Sequence, residues 1–176
     1  SLICFQYMSK LQYLIAKSAG SSFYKTVLNL ALDFTIPFNS PHHYKVLEIK
    51  PGFAQVMLPF RRSNKNHVNS LHACALATLC EFTTGLALVG AISEQEYRII
   101  LKNLNTTYLY QGKQAVIATF ELSEKYIQEQ IINPLKQEES VTVTFEIEVK
   151  DISENIICSS LVTWQIKNWS KVRLKS

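Results

Sequence analysis

The sequence predicts an α+β domain in which one long apolar helix is wrapped by an antiparallel β-sheet. The run from Asn69 to Ile92 (NSLHACALATLCEFTTGLALVGAI) is apolar, rich in small residues and carries a single formal charge, Glu81. On both sides of this run the hydrophobic pattern has a period of two residues, which is typical of strands with one buried face. The strands follow one another without intervening long helices, and this order favours an antiparallel sheet.

The chain begins with helical spacing. Ser9–Leu32 is predicted to form two short helices that bend at Gly20, and the prolines of Asp33–His43 predict a connecting loop. Met8 looks like a native start, so residues 1–7 are interpreted as an extension. A length of 176 residues predicts a single domain.

About six strands are predicted around the central helix. The polar loop Arg61–His67 leads into that helix, and Asn69 or Ser70 is its predicted N-cap. Ser123–Glu139 is predicted as a short helix followed by a loop. The strand segments are Tyr44–Leu58 (a hairpin turning at Pro51-Gly52), Arg98–Tyr110, Gln114–Leu122, and a final hairpin over residues 141–169. A long buried helix wrapped by such a sheet is the hotdog architecture.

Composition excludes several classes of function. The net charge of +4 comes without a stripe of interleaved basic and aromatic residues, which argues against nucleic-acid binding. The four cysteines lack C-x-x-C spacing and are interpreted as reduced, mostly buried thiols of a cytoplasmic protein. No metal site or cofactor is predicted, because no His/Cys/carboxylate cluster has ligand spacing. Glu81 near the middle of the apolar run argues against an integral membrane segment.

The helix start carries a family resemblance. Asn69 and His72, then Ala73-Cys74 and an acidic residue nine positions after the histidine, resemble the pattern of acyl-CoA thioesterases with the hotdog fold. With the later strands NTTYLY and QAVIATFEL, the chain is similar to the uncharacterised thioesterase-like hotdog family. That family is related to the phenylacetyl-CoA thioesterase (PaaI-like) type. The likeness spans about Phe38–Trp164.

Three residues, at two places in the helix, depart from the pattern of the characterised thioesterases. Ala73-Cys74 replaces two glycines that let a thioester carbonyl approach the backbone N–H groups of the helix start. Glu81 replaces the commoner aspartate, which extends the carboxylate by one methylene.

The resemblance implies roles for individual residues. Glu81 would act as base or nucleophile, and His72 or Asn69 would orient the carbonyl or the water. The free N–H groups of the helix start, at Ala73 and Cys74, would stabilise the oxyanion. The remaining residues expected to line the groove or meet the phosphates of coenzyme A, itself part of the substrate, are Thr78, Thr84, Arg61, Arg62 and Lys65.

Along one helix Glu81 lies about 13 Å from His72, at 1.5 Å per residue. The two side chains cannot serve one small reacting group within a single chain. The hypothesis therefore requires a homo-oligomer, a dimer or a dimer of dimers, with acyl-CoA or another acyl thioester bound between subunits.

Structural interpretations remain open beside these roles. Glu81 could be exposed in a groove or paired with Arg61, Arg62 or His67. Asn69 and His72 could be capping residues, and Cys74 a small buried thiol.

Two other functions also remain open. A hotdog dehydratase or hydratase uses a histidine and an acidic helix residue, but its usual neighbouring proline and glycine are absent here. A non-catalytic acyl-CoA or fatty-acyl binding module is favoured by Ala73-Cys74 and opposed by Glu81.

Overall fold

The computed structural model describes residues 10–172. The predictions made for the start of the chain, including the native start at Met8 and a thiol at Cys4, lie outside these residues. Residues 10–172 contain five α-helical segments: α1 (Lys10–Ser18), α2 (Ser22–Thr35), α3 (Ala73–Ala91), and α4 (Glu124–Ile127), which a π-helical turn (Gln128–Ile132) joins to α5 (Asn133–Leu135). The strands are β1 (Lys45–Lys50), β2 (Phe53–Leu58), β3 (Tyr97–Tyr108), β4 (Val116–Glu121), β5 (Ser140–Asp151) and β6 (Ile156–Asn168).

The six strands form one antiparallel sheet in the order β1-β2-β4-β5-β6-β3. Both predicted hairpins are present, because β1 pairs with β2 and β5 pairs with β6. The chain crosses over between β3 and β4, so these consecutive strands lie apart: β4 pairs with β2 and β5, and β3 pairs with β6. The 12-residue β3 and the shorter β1 are the two edges of the sheet.

The central helix α3 packs against the sheet and confirms the predicted α+β hotdog fold. It begins at Ala73 rather than near Asn69. Small residues bring it close to the strands: a Cβ atom at Gly85 would lie 3.2 Å from the Trp164 ring, and one at Gly90 would lie 3.3 Å from the Lys50 carbonyl oxygen. The helix has the length and composition of a membrane span, but more than half of it is buried within the protein, as in a core helix.

One face of α3 is less buried than the rest. The residues on this face recur every three or four positions, so they form one stripe along the helix. They are Cys74, Ala77, Thr78, Glu81, Gly85 and Val89. This stripe leaves room for a site beside the helix.

The two N-terminal helices are attached to this layer by buried apolar residues and by two amide side chains. Ile15, Leu28 and Leu32 are buried. The Asn29 side chain accepts from the Val46 N–H (2.8 Å) and donates to the Val46 carbonyl (3.2 Å), so it pairs with the outer edge of β1. The Gln12 amide donates to the Val89 and Ile92 carbonyls at the end of α3 (3.4 and 3.2 Å).

The bend between the two helices is confirmed at 18–22, around the predicted Gly20. The second helix continues to Thr35, three residues beyond the predicted Leu32.

Replacing Asn29 with alanine is expected to lower the free energy of unfolding by about 1–3 kcal/mol, because both backbone groups of Val46 lose their side-chain partner. Urea unfolding measures this change. Thr26→Ala is the matched control: Thr26 is exposed on the same helix and donates only to Ser22 of its own helix, so a change within about 0.5 kcal/mol is expected. Equal losses in the two variants would contradict the role of Asn29.

Candidate active site

Glu81 is half-buried in the middle of α3, and its carboxylate has no hydrogen-bond or ion-pair partner among residues 10–172. The sequence indicated Arg61, Arg62 and His67 as possible partners, but none of them forms an ion pair with Glu81. Burial raises the pKa of the Glu81 carboxyl above its ordinary value. An unpaired carboxylate of this kind can accept a proton or attack an electrophile.

Two cavities meet at Glu81. The larger, about 640 Å³, extends from Glu81 toward the end of α3 and lies beneath α1 and α2. The smaller, about 340 Å³, lies toward the edge strand β3. Three residues border both cavities: Ile36, Glu81 and Phe82. The carboxylate therefore stands where a mainly apolar chamber meets a second opening beside the sheet edge.

Two polar residues, Thr78 and Tyr44, lie near Glu81. Thr78 lines the smaller cavity together with Glu81, as the sequence predicted. The buried Tyr44 donates its hydroxyl to the Ala75 carbonyl at 2.9 Å, and its ring lies 5.8 Å from that of Phe82. Burial raises the pKa of Tyr44, and the Glu81 charge adds to the increase, so Tyr44 acts as a neutral hydrogen-bond donor.

His72 is the N-cap of α3, and its Nδ1 accepts from the Cys74 N–H at 3.1 Å. The prediction that Asn69 or Ser70 caps the helix is therefore wrong. Asn69 is exposed in the preceding turn with a φ of 57°, and its N–H donates to the Asn66 carbonyl. Ser70 is buried and bonds to the Asn66 side chain instead.

The first turn of α3 faces outward. Ala73 and Cys74 are both exposed, so the interpretation of Cys74 as a buried thiol is wrong, although Cys80 and Cys158 are buried. The Tyr108 hydroxyl from the end of β3 donates to the Ala73 carbonyl at 3.0 Å. Because His72 occupies the Cys74 N–H, the unbonded donors of this turn within residues 10–172 are the N–H groups of Ala73 and Ala75.

The sequence predicted that Thr84 lines the groove, but the structure places it elsewhere. It is fully buried, donates to the Cys80 carbonyl (3.0 Å) and accepts from the Trp164 indole N–H (3.1 Å). Its partner Trp164 belongs to β6, so Thr84 lies against the sheet although it follows Glu81 by only three residues. Thr84 therefore orients the Trp164 ring that forms part of the larger cavity.

The predicted phosphate-binding cations lie on the loop before α3. Arg61 and Arg62 are exposed, and neither lines either cavity at Glu81. The Lys65 ammonium lies 4.0 Å from the centre of the Phe60 ring. Within the described residues no group of three or more His, Cys, Asp or Glu side chains could hold a metal ion.

The structure brings Glu81 and Thr78 to one cavity and leaves His72 on the same helix, nine residues earlier. That separation is about 13 Å along the axis. Sequence reasoning missed Tyr44 and the walls that α1 and α2 supply. Their signal was weak, because an apolar stripe such as Leu11 and Leu14 has the same pattern whether it packs in a core or lines a cavity.

The fold is that of the thioesterase-like hotdog proteins. The chain belongs to the family described as a domain of unknown function, DUF4442, which matches residues 25–166. No curated protein matches the sequence. Kinship with the phenylacetyl-CoA thioesterase type stays a prediction.

Solved structures support the fold. A Pseudomonas aeruginosa protein of unknown function, PA5026, named a probable thioesterase, superposes with a TM-score of 0.74 at 21% identity, over 81% of this chain and 95% of that chain. The Haemophilus influenzae thioesterase HI1161 gives 0.62 at 14% identity, over 84% and 93%. The Staphylococcus aureus thioesterase SAV0944, as a variant, gives 0.60 at 17% identity, over 74% and 98%. At these identities the likeness concerns the fold alone.

Glu81→Gln is expected to raise the free energy of unfolding at pH 7. The carboxyl pKa is higher in the folded protein than in the unfolded chain, so the unfolded chain ionises first and stability falls as the pH rises through the ordinary carboxyl pKa, about 4.3. Glutamine has nearly the same shape and does not ionise. The gain should therefore vanish below about pH 4.

Thermal or urea unfolding from pH 3 to 8 measures this difference. Glu121→Gln, at an exposed carboxylate of β4, is the matched control and should show no comparable gain. A Glu81→Gln curve parallel to that of the wild type at every pH would show that the ionised carboxylate is not disfavoured.

Proposed function

We propose that this protein is an acyl-thioester hydrolase, acting on acyl-CoA or a related thioester, with Glu81 as general base or nucleophile. The observation that carries the proposal is the half-buried, unpaired carboxylate at the meeting point of two cavities. A residue with a purely structural role seldom carries an unpaired charge on a buried helix, because the loss of solvation disfavours the charged form. A carboxylate with a raised pKa is suited to taking a proton from water near neutral pH.

The oxyanion would be stabilised by the start of α3 in a second subunit. Helix N-termini carry unbonded N–H groups and the positive end of the helix dipole. Within one chain, this turn is too far from Glu81 to contact the same carbonyl. His72, Ala73 and Cys74 would accordingly act on the thioester held by the partner's Glu81, and Asn69 would shape the turn that presents them.

A homodimer would form through β3. This strand is an edge of the sheet over 12 residues, and its Leu101 and Leu104 border the smaller cavity at Glu81. Long free edges pair readily with another strand. Pairing of β3 with its copy would place the second subunit beside the cavity, and the exposed Arg61 and Arg62 would then be available to the phosphates of coenzyme A.

A non-catalytic acyl-CoA binding protein is the second candidate. It is favoured by the hydrogen bond from the Cys74 N–H to His72 Nδ1, because this bond removes one donor from the proposed oxyanion site. Such a protein would bind acyl-CoA without hydrolysing it. The same assays therefore compare hydrolysis and binding.

Glu81→Gln is expected to lower kcat for acyl-CoA hydrolysis by about 10²–10⁴-fold, the usual contribution of general acid–base catalysis. Release of free thiol from acyl-CoAs of increasing chain length measures the rate. Glu94→Gln is the matched control, since Glu94 is a second half-buried carboxylate lining the larger cavity. Wild-type kcat/KM should rise with pH through an inflection above the ordinary carboxyl pKa. Equal activity of wild type and Glu81→Gln would refute the role of Glu81.

Leu104→Lys is expected to convert a dimer into monomers and to abolish turnover, because it places an ammonium group on β3 beside the cavity. Sedimentation equilibrium measures the mass, which for the wild type should be twice the chain mass of 20.1 kDa. Ile152→Lys is the control: Ile152 is 66% exposed in the turn between β5 and β6, outside β3, and lines neither cavity at Glu81. A monomeric wild type with full activity would contradict the two-subunit site.

A further inference from the structure

The larger cavity at Glu81 is closed by elements outside the helix–sheet layer. Residues of α1 and α2 form one wall, α3 forms the floor, and β3 and β6 close the side. A volume of about 640 Å³ lies within the range of small-molecule sites. The apolar residues that line it are Leu11, Leu14, Ala31, Leu32, Ile36, Phe82, Leu86, Val89, Ile99 and Trp164.

We propose that this cavity binds the acyl chain of the substrate and that α1 and α2 select its length. The inference rests on the proposed function, which places the thioester at Glu81. The acyl chain would then lie within one protomer, under the N-terminal helices, rather than along the subunit interface as the sequence indicated. The smaller cavity, at the β3 edge, would be left for the coenzyme arm.

The length of the chamber follows from α3. Glu81, Gly85 and Val89 line the cavity at intervals of four residues, so they mark one line along the helix. Val89 lies eight positions after Glu81, which corresponds to a rise of about 12 Å at 1.5 Å per residue. An extended polypeptide advances about 3.5 Å per residue of three backbone bonds, and an extended alkyl chain advances a similar distance per three bonds, so this length holds roughly ten bonds. The chamber therefore fits a straight aliphatic chain of roughly eight to twelve carbons.

The far end of the chamber is polar. Lys10 begins α1 and Glu94 follows α3, and both border the cavity. Gln12 holds α1 against the Val89 and Ile92 carbonyls at this same end. Methylenes beyond this point would meet charged side chains or water, and they would add no further affinity.

Isothermal titration with S-alkyl coenzyme A thioethers tests the chamber, because thioethers bind without being hydrolysed. The affinity of the wild type is expected to rise roughly three- to fourfold per methylene, the value for burying one CH₂ group, up to about ten carbons, and then to level off. An affinity independent of chain length would overturn the proposal.

Neighbouring positions on α2 provide a matched pair of variants. Ala31 lines the cavity, whereas Leu30 is 64% exposed. Ala31→Trp is expected to lower the affinity for the decyl thioether at least tenfold and to leave the ethyl thioether within twofold. Leu30→Trp should change neither. Equal effects of the two variants would overturn the proposal.

Val89→Phe provides a second lesion at the far end of the chamber, in case Ala31→Trp does not fold. It should affect the decyl thioether and spare the butyl thioether. An unchanged decyl affinity in this variant, checked for native circular dichroism, would also overturn the proposal.

Hydrolysis of the matching acyl-CoAs separates this inference from the proposed function. Chain-length-dependent thioether binding without thiol release would support the chamber and overturn the hydrolase. Thiol release with thioether affinities that do not depend on chain length would support the hydrolase and overturn the chamber.

Discussion

The rest of the structure depends on one constraint: the Glu81 carboxylate must face a cavity, although the other faces of its helix are buried. An ionised carboxylate sealed among apolar side chains would cost several kcal/mol, so the helix has to leave space beside it. The space lies along the stripe of Thr78, Glu81, Gly85 and Val89. On the opposite side of the helix, Cys80, Thr83 and Ala87 are fully buried where α3 packs on the sheet.

That space has its own cost, since the atoms lining a cavity lose packing contacts. The N-terminal helices limit the loss by covering the stripe. Asn29 and Gln12 attach these helices by bonding to backbone groups of β1 and α3 that have no partner within the sheet or the helix. Each amide therefore also satisfies polar groups that would otherwise lack a hydrogen bond. Asn29 also occupies part of the outer edge of β1. The two edges of the sheet therefore differ: β1 is partly covered, and this asymmetry favours β3 as the edge available to a second subunit.

The fold could be predicted from the sequence because its signals are local. The long apolar run has few alternatives to a buried helix, and the period-two segments define strands whichever neighbours they take. The pairing of β3 with β6 was beyond such reasoning, since it depends on which strands share one face of α3. The N-cap was misassigned because asparagine and serine are statistically favoured, whereas the geometry of the turn at Asn69 (φ 57°) leaves the capping position to His72.

Part of the candidate site could be located from the sequence, for a physical reason. Glu81 could be recognised because a charge on an apolar helix is conspicuous in one dimension. The cavity could not, since Leu14, Ala31, Ile99 and Trp164 come from four different elements, and each has the pattern of an ordinary core residue. Thr84 shows the converse. Its position near Glu81 predicted that it lines the groove, but its hydroxyl instead accepts a hydrogen bond from the Trp164 indole and packs in the core.

The Ala73-Cys74 departure from the glycines of the characterised thioesterases is less restrictive than the sequence indicated. Both side chains are exposed, and neither lines a cavity at Glu81, so they add no bulk around the carboxylate of their own chain. The stronger restriction is the His72 cap, which ties up the Cys74 N–H while stabilising the helix. A thioester carbonyl reaching this turn would have to use the Ala73 or Ala75 donor, or displace the imidazole. The His72 cap therefore limits how many N–H donors the start of α3 can offer to a thioester. Use of these donors in hydrolysis would in turn depend on the Glu81 carboxylate.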